Sequence, residues 1–463
     1  MGRTDEVAHI ARFADAFYTN AKIATLYSFH DDLTLPDFAL CGKVNFIMTS
    51  TTATPTAPIV KAQYEAYPYP YRDPKDEKKR LIHGTPSSVL QIMHYIFGGN
   101  LPNRKLRFLT AGGGTGDALI MMAQQSLNLG LDVEVTHLDI STASQAIARQ
   151  RAEVRELKNV RFINDSLLNA PQYGPFDYID CCGVLHHLDK PEEGLKALKA
   201  ALSPEGGMGI MVYAPLGRTG VYPMQSALRR LTDGVEDPAE KVKIARKVLT
   251  DMPDSNWLKK NPLMTDHKGT DAGVYDLLLH STDRAYTVME FKEFVQAAGL
   301  DVIAFQEKIK YDLRSYLKNP DLLARAPKDR FEAAALAEEI GGILYKHIAY
   351  LTFAERAASA EAQNAPEMIP VYSEYDGVST GKQLKPNQAI IGNLQNISVA
   401  VNMPRYAGPI MQRIDGQKSW RDIHGELVAA LGGDAPSWDK YWADVTEVYN
   451  GLNGINVLML KQP

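Results

Sequence analysis

The segment LRFLTAGGGTGDAL, residues 106–119, says more about this chain than any other stretch. A β-rich run ends at Thr110-Ala111, three alternating glycines follow (Gly112, Gly114, Gly116), and a helix-forming run opens directly after them. Alternating glycines at a strand end let the backbone approach a ligand closely and adopt φ angles that side-chained residues resist. The helix beginning there offers unpaired N–H groups and a partial positive charge. Taken alone, this fingerprint marks a nucleotide-type site of unspecified kind.

Reading outward narrows it. VEVTHLDI (133–140) alternates like a strand and delivers Asp139 at its C-terminal end, roughly twenty residues beyond the glycines, where a carboxylate can accept hydrogen bonds from ribose hydroxyls. VRFINDS (160–166) is a third strand, ending in Asn164, Asp165 and Ser166. The run from Phe176 to Ala214 then reads strand, loop, helix, Pro-Glu-Gly-Gly turn, strand. Strands and helices alternate, so a parallel sheet with ligand at the strand ends is expected.

The series from about 85 to 214 resembles class I S-adenosylmethionine-dependent methyltransferases. It carries the GxGxG motif (Gly112, Gly114, Gly116), the acidic end of strand two (Asp139), the strand-four loop VLHHL (184–188) and a helix closing in LSPEGG before strand five. A Rossmann dehydrogenase shares the first two features but not the last two. One departure stands out: Thr110 occupies the place of the acid that often precedes the glycines. The resemblance implies an α/β fold, a Rossmann-like methyltransferase sheet with helical insertions, and S-adenosyl-L-methionine as cofactor. It implies cofactor contacts from Ala111, Gly112, Gly114, Gly116, Asp139 and Ile140. Asp165 and Ser166 would bracket the adenine, and Cys182 and Gly183 would sit where the reactive methyl points.

Composition fits a soluble enzyme. The 463 residues exceed one ordinary core, so two or three domains are expected. With 23% charged residues and a formal net charge of −5, no broad attraction to nucleic acid or anionic membrane follows. The three cysteines, Cys41 and the adjacent Cys181-Cys182, show no metal-ligand spacing, so a reducing cytoplasmic setting and no metal site are expected. The N-terminus mixes Arg3 with Asp5 and Glu6 and has no long apolar core, unlike a signal peptide or a membrane span.

Residues 1–60 read as an appendage with an amphipathic helix over 5–28 and a polar linker over 48–58. Residues 61–214 form the core, opening with the strap KAQYEAYPYPYRDP (61–74), whose prolines favour an extended path. A helical insertion occupies 215–285 and would cap the site or serve a dimer contact. Residues 286–355 complete the sheet, with a second helical insertion at 312–343. A linker over 356–386 leads to a C-terminal module, 387–463, reading strand-helix-helix-helix-strand, a small α+β domain of winged-helix type. Its IDGQKSWRDI turn resembles modules that bind peptides by adding a strand; simple packing on the catalytic part is the alternative.

The strap narrows the substrate further. YEAYPYPYRD resembles a YExxPYP element found ahead of the core in a bacterial group that includes protein-lysine methyltransferases of outer-membrane proteins. Here it supplies Tyr64, Glu65, Pro68, Tyr69 and Pro70, and DLLLH in the insertion supplies Asp276 to His280. Tyr64, Tyr67 and Tyr69 are candidates to touch substrate through cation–π attraction and hydroxyl acceptance, with Arg284 and Tyr286 as further pocket wall. Tyr69, His186, His280 and Asp283 are candidate catalytic groups, because a lysine ammonium must lose a proton before it can accept a methyl. Packing of the strap and a salt-bridged turn at 280–286 are the structural alternatives. The leading expectation is methyl transfer by in-line displacement to a protein or peptide amine, lysine above all, by an enzyme that inserts in no membrane and can form a homodimer. A small-molecule O- or N-methyltransferase and a non-catalytic cofactor-binding regulator are the alternatives. Asp139→Ala should lose most of its affinity for S-adenosylmethionine in calorimetric titration; unchanged binding would remove Asp139 from the site.

Overall fold

The computed structural model describes residues 56–84, 86–394 and 397–463. The helix expected over 5–28 lies outside them, as does the linker up to residue 55. The centre is a seven-stranded sheet built from β1 (Leu106–Ala111), β2 (Val133–Asp139), β3 (Val160–Asn164), β4 (Phe176–Cys182), β5 (Leu202–Tyr213), β6 (Leu300–Phe305) and β7 (Lys346–Phe353). Their spatial order is β3-β2-β1-β4-β5-β7-β6, and β7 alone runs antiparallel to its neighbours. The order reverses between β1 and β4. A crevice therefore opens beyond the carboxyl ends of those two strands, the switch point at which open α/β sheets bind ligands.

Strand side chains alternate between two buried faces, as the two-residue period requires. Leu109, Ile179, Ile210 and Leu351 enter one core. Phe108, Tyr178 and Tyr350 enter the other, beneath the helix Val89–Ile96. The Pro-Glu-Gly-Gly segment expected as a turn is instead a bulge inside β5: Phe176 pairs with Leu202, but Tyr178 already pairs with Gly207. Its polar atoms find partners there, with Ser203 Oγ donating to Asp177 at 3.0 Å and Thr352 Oγ1 donating to the Gly206 carbonyl at 2.7 Å.

The expected extended strap is extended only in part. A helix runs from Thr56 to Ala66 and stops just ahead of Pro68, since the residue before a proline is pushed out of the helical region. In the first insertion the helices Val221–Leu231 and Pro238–Asp251 share a core with Leu277 and Leu278, which lie in a single π-helical turn, Tyr275–Leu279. The chain rejoins the sheet beside β5, where the Tyr286 N–H donates to the Tyr213 carbonyl at 2.9 Å. The second insertion holds the helices Pro320–Leu323 and Arg330–Gly341.

The C-terminal region opens with an antiparallel hairpin, β9 (Ala389–Leu394) and β10 (Ile397–Asn402), where one strand was expected. Three helices follow, Ala407–Met411, Trp420–Leu431 and Trp438–Gly454. The segment 356–386, expected as a linker, contributes β8 (Ile369–Tyr372), which pairs antiparallel with the final strand β11 (Leu458–Lys461). Its linker-like composition hid a strand that only its distant partner stabilises. No helix among the described residues is long and apolar enough to cross a membrane.

Buried polar contacts hold this region to the catalytic sheet. His94 Nδ1 accepts from the Leu460 N–H at 3.0 Å, Tyr95 donates to Asn456 at 3.1 Å, and Lys308 donates to Asn453 at 3.0 Å. Asn453 also donates to the Leu458 carbonyl at 3.1 Å. Removing one partner of such a network leaves the others buried and unsatisfied, at about 1–3 kcal/mol for each group. Asn453→Ala should lower the melting temperature and open the C-terminal region to limited proteolysis before the sheet unfolds. A cleavage pattern identical to wild type would contradict this attachment.

Candidate active site

The glycine loop forms as its composition requires. Gly112, Gly114 and Gly116 all take positive φ, +69°, +53° and +96°. At Gly114 the need is steric as well, because a Cβ there would lie 2.6 Å from the Tyr69 carbonyl oxygen. Asp139, at the tip of β2, is buried and accepts the Gly114 N–H on one carboxylate oxygen and the Ser141 N–H on the other, each at 2.7 Å. A carboxylate has about four lone-pair sites, so both oxygens keep acceptor capacity toward the crevice. Burial raises its pKa, while the two backbone donors act the other way. Thr110, in the place of the usual acid, faces the neighbouring strand, with its hydroxyl 3.0 Å from Nδ1 of the buried His137.

The strap lies across this loop. The Thr115 hydroxyl donates to the Pro70 carbonyl at 2.7 Å, and Glu65 accepts the Thr142 and Ala143 N–H groups, capping the helix Thr142–Val154 at 2.7 and 3.0 Å. A buried ion network fixes its far end. Arg151, fully buried, donates to Glu77, Asp117 and the Thr115 carbonyl at 2.7 to 2.8 Å; Arg72 pairs with Asp117 at 2.6 Å, and Arg155 with Glu77. Neither Arg151 nor Glu77 carries a sequence signal of its own. Asp117 does, as the first residue of the helix after the glycines.

Beyond the tips of β4 and β5 the VLHHL loop meets the insertion. His187 Nδ1 donates to the Thr282 carbonyl at 2.8 Å, and its ring stacks on His280 with centroids 3.7 Å apart. His280 Nδ1 accepts the Thr282 N–H at 3.1 Å. His186 is buried against the Tyr213 ring, 3.9 Å between centroids, and neither of its ring nitrogens has a hydrogen-bond partner. Burial drives all three histidines toward the neutral form, His187 to about 4, His280 to about 3 and His186 lower than its ordinary value by a wide margin. Rings that neutral hold a transferred proton poorly. Across the same hollow, Tyr64 and Tyr213 donate to opposite oxygens of Asp276 at 3.2 and 3.4 Å. Tyr64, Tyr69, Tyr213 and Cys182 are each reached by solvent, and desolvation by neighbouring protein atoms raises the pKa of each.

The structure brings Tyr64 to Asp276 and His280, stacks His187 on His280, lays His186 against Tyr213 and sets the Tyr69 carbonyl over Gly114; Ala111, Cys182 and Gly183 lie at the tips of β1 and β4, and the half-buried Ile140 follows Asp139. Asp165 stays beside Asp139, its N–H donating to the Asp139 carbonyl at 3.2 Å, while its carboxylate accepts from Ser166 N at 2.7 Å, Asn169 at 2.9 Å and Tyr173 at 2.6 Å, and Ser166 caps the turn that follows. Other expected residues fall elsewhere. Tyr67 stacks on Tyr275 of the insertion, 5.5 Å apart. Tyr286, expected in the pocket wall, is fully buried in the main core against Phe294, because the strand-like rejoining at Tyr213 turns it inward. Arg284 is exposed and pairs with Glu192. Asp283, expected as a proton acceptor, has a fully buried side chain held by Arg218 at 3.0 Å and Gln225 at 2.8 Å, so its charge is already matched. Arg218, whose guanidinium lies 3.6 Å from the centroid of the Tyr213 ring, and Tyr213 itself escaped the sequence reading, since nothing in their neighbours signals a site.

Residues 109–208 match the family described as methyltransferase domain. An uncharacterized protein of Synechococcus is 28% identical over 310 residues, 65% of this chain and 71% of that protein. The ubiquinone biosynthesis O-methyltransferase of Acinetobacter baylyi is 24% identical over 213 residues, 44% of this chain and 85% of that enzyme. PKMT2 from Rickettsia typhi in complex with AdoHcy superposes with a TM-score of 0.54 at 16% identity, over 81% of this chain and 75% of that one, a likeness of fold.

The buried histidines make stability depend on pH. His137 and His187 are held at about 4 and His280 at about 3, below the ordinary 6.5 of an unfolded chain. Between these values the unfolded chain binds more protons than the native one. The histidines' contribution is therefore intact above pH 6.5 and drains as pH falls toward 4, by up to about 2 kcal/mol for each at pH 5. Asp180, which burial raises to about 7, acts the other way over this range. In calorimetric melting the Tm of wild type should fall relative to that of His280→Gln as pH is lowered from 7.5 to 5; a constant difference would contradict the buried neutral ring.

Proposed function

This chain carries an S-adenosylmethionine-dependent methyltransferase domain, and from that premise we propose that the acceptor is a protein amine, the side chain of a lysine. The observation that carries the reading is the cluster at the ends of β4 and β5, where the part-exposed Tyr64 and Tyr213 converge on Asp276 beside Tyr69 and the buried His187–His280 stack. Tyrosine faces attract a cation, and their hydroxyls offer acceptor lone pairs. The YExxPYP resemblance of the strap points the same way.

The residues present fit the cofactor. The loop Gly112 to Gly116 leaves backbone open to a ligand, and the buried Asp139 keeps acceptor capacity for ribose hydroxyls. When bound, S-adenosylmethionine supplies an electrophilic methyl group on a sulfonium. The chain's own tasks are alignment and exclusion of water. The Tyr69-Pro70 backbone roofs the loop, and the ion network around Arg151 fixes that roof.

Methyl-labelled S-adenosylmethionine incubated with the enzyme and a host lysate tests the reading, with Asp139→Ala as control. Label in discrete protein bands, mapped to lysine by mass spectrometry, is expected. Label confined to small molecules would replace the reading with a small-molecule methyltransferase. No transfer despite cofactor binding would favour a regulator.

A further inference from the structure

Asp276 is the acidic group through which the insertion meets both the strap and the tip of β5. It lies in the π-helical turn Tyr275–Leu279, a geometry that recurs at functional sites. The extra residue in that turn leaves Leu277 and Leu278 in the core of the insertion while Asp276 meets the strap and the tip of β5. Its carboxylate is buried, and among the described residues it has no ion-pair partner, only the hydroxyls of Tyr64 and Tyr213, one to each oxygen. Each oxygen keeps a free acceptor site.

The other groups around the hollow are unsuited to taking a proton. His186, His187 and His280 are held neutral far below their ordinary range. The Tyr64, Tyr69 and Tyr213 hydroxyls and the Cys182 thiol are all pushed upward, so they remain protonated. Asp283 is ion-paired with Arg218, Asp139 accepts two backbone N–H groups at the glycine loop, and Asp180 accepts from the Ser87 hydroxyl inside the sheet.

Resting on the reading of the acceptor as an amine, we infer that Asp276 is the catalytic base of this site: it receives the substrate ammonium as its counter-ion and removes the proton that blocks methylation. One N–H bond of the ammonium breaks, its electron pair staying on nitrogen and its proton passing to Asp276. That lone pair forms the C–N bond as the methyl–sulfur bond breaks and leaves both its electrons on sulfur. The methylated amine carries the positive charge, and Asp276 returns its proton to solvent. Tyr64 and Tyr213 are positioning residues that aim the carboxylate. Burial raises Asp276 above the ordinary carboxylate range, and the same desolvation lowers a lysine ammonium, so the two approach one another in proton affinity. The groups that bear on this balance are Tyr64 and Tyr69 of the strap, Tyr213 of β5, Arg218, and Asp266 and His280 of the insertion.

The test compares wild-type full-length protein with D276N, using methyl-labelled S-adenosylmethionine and the host-lysate protein fraction from pH 6 to pH 10, with S-adenosylhomocysteine affinity measured alongside. D276N should bind S-adenosylhomocysteine with unchanged Kd and lose about 100-fold in transfer at pH 7. It should recover most of that loss by pH 10, where roughly a third of a lysine acceptor is already deprotonated. Equal rates and superimposable pH profiles, or a loss that is the same at every pH, would overturn the assignment while leaving the lysine reading intact. Wild-type protein that labels no protein at all overturns the reading and the inference with it. Should D276N fail to fold, the double variant Tyr64→Phe with Tyr213→Phe decides: stripping both donors must move the acidic limb of the rate profile to higher pH, and an unmoved limb overturns the inference.

Discussion

The fully buried guanidinium of Arg151 ties its own helix to two segments distant from it in sequence, the glycine loop with the helix that follows and the stretch just beyond the strap. It bonds the Thr115 carbonyl of the glycine loop, Asp117 at the head of the helix that follows, and Glu77 just beyond the strap. A buried cation needs its charge matched, and here Glu77 and Asp117 supply the opposite charge at 2.7 Å. The consequence is geometric. The strap crosses the loop where Gly114 leaves no room for a Cβ, and Tyr64, just upstream of that crossing, meets Asp276 opposite Tyr213 at the end of β5.

That placement turns a general cofactor fold into a specific chamber. The switch point between β1 and β4 is a property of the sheet; what covers it is not. The insertion between β5 and β6 closes the chamber from the other side through the His187–His280 stack and the hydrogen bonds at Thr282. The buried Arg218–Asp283 pair anchors that wall and keeps Asp283 from serving as a free anion. The polar groups left facing the hollow are predominantly neutral. The apolar environment that silences the histidines strengthens the carboxylate as a base, because desolvation disfavours the charged form of each.

The C-terminal region is joined to the sheet by a mixed seam rather than a greasy one. His94, Tyr95, Lys308 and Asn453 exchange hydrogen bonds with β11 and its flanks. Such a seam fixes register and orientation, since each buried donor must meet one particular acceptor. It also explains why β8 folds as a strand despite lying in a stretch of linker composition: its partner, β11, is itself locked to the helix Val89–Ile96.

The sequence by itself determined the parts whose signals are local. The glycine loop, the acidic tip of β2, the VLHHL turn and the late helix-strand pair at 288–305 each follow from a pattern a few residues long, because period, glycine placement and capping act over single turns. Tertiary structure decided which of the polar residues form the site. Tyr64 and Asp276 lie 212 positions apart and meet through a strap and an insertion. Tyr286 and Arg284, equally plausible on the page, differ in exposure: Tyr286 is buried in the core, while Arg284 lies over its ring at 4.6 Å and reaches the surface to pair with Glu192. No local pattern carries that information. A side chain's environment is set by what the rest of the chain packs against it, and that is a sum over contacts distant in sequence.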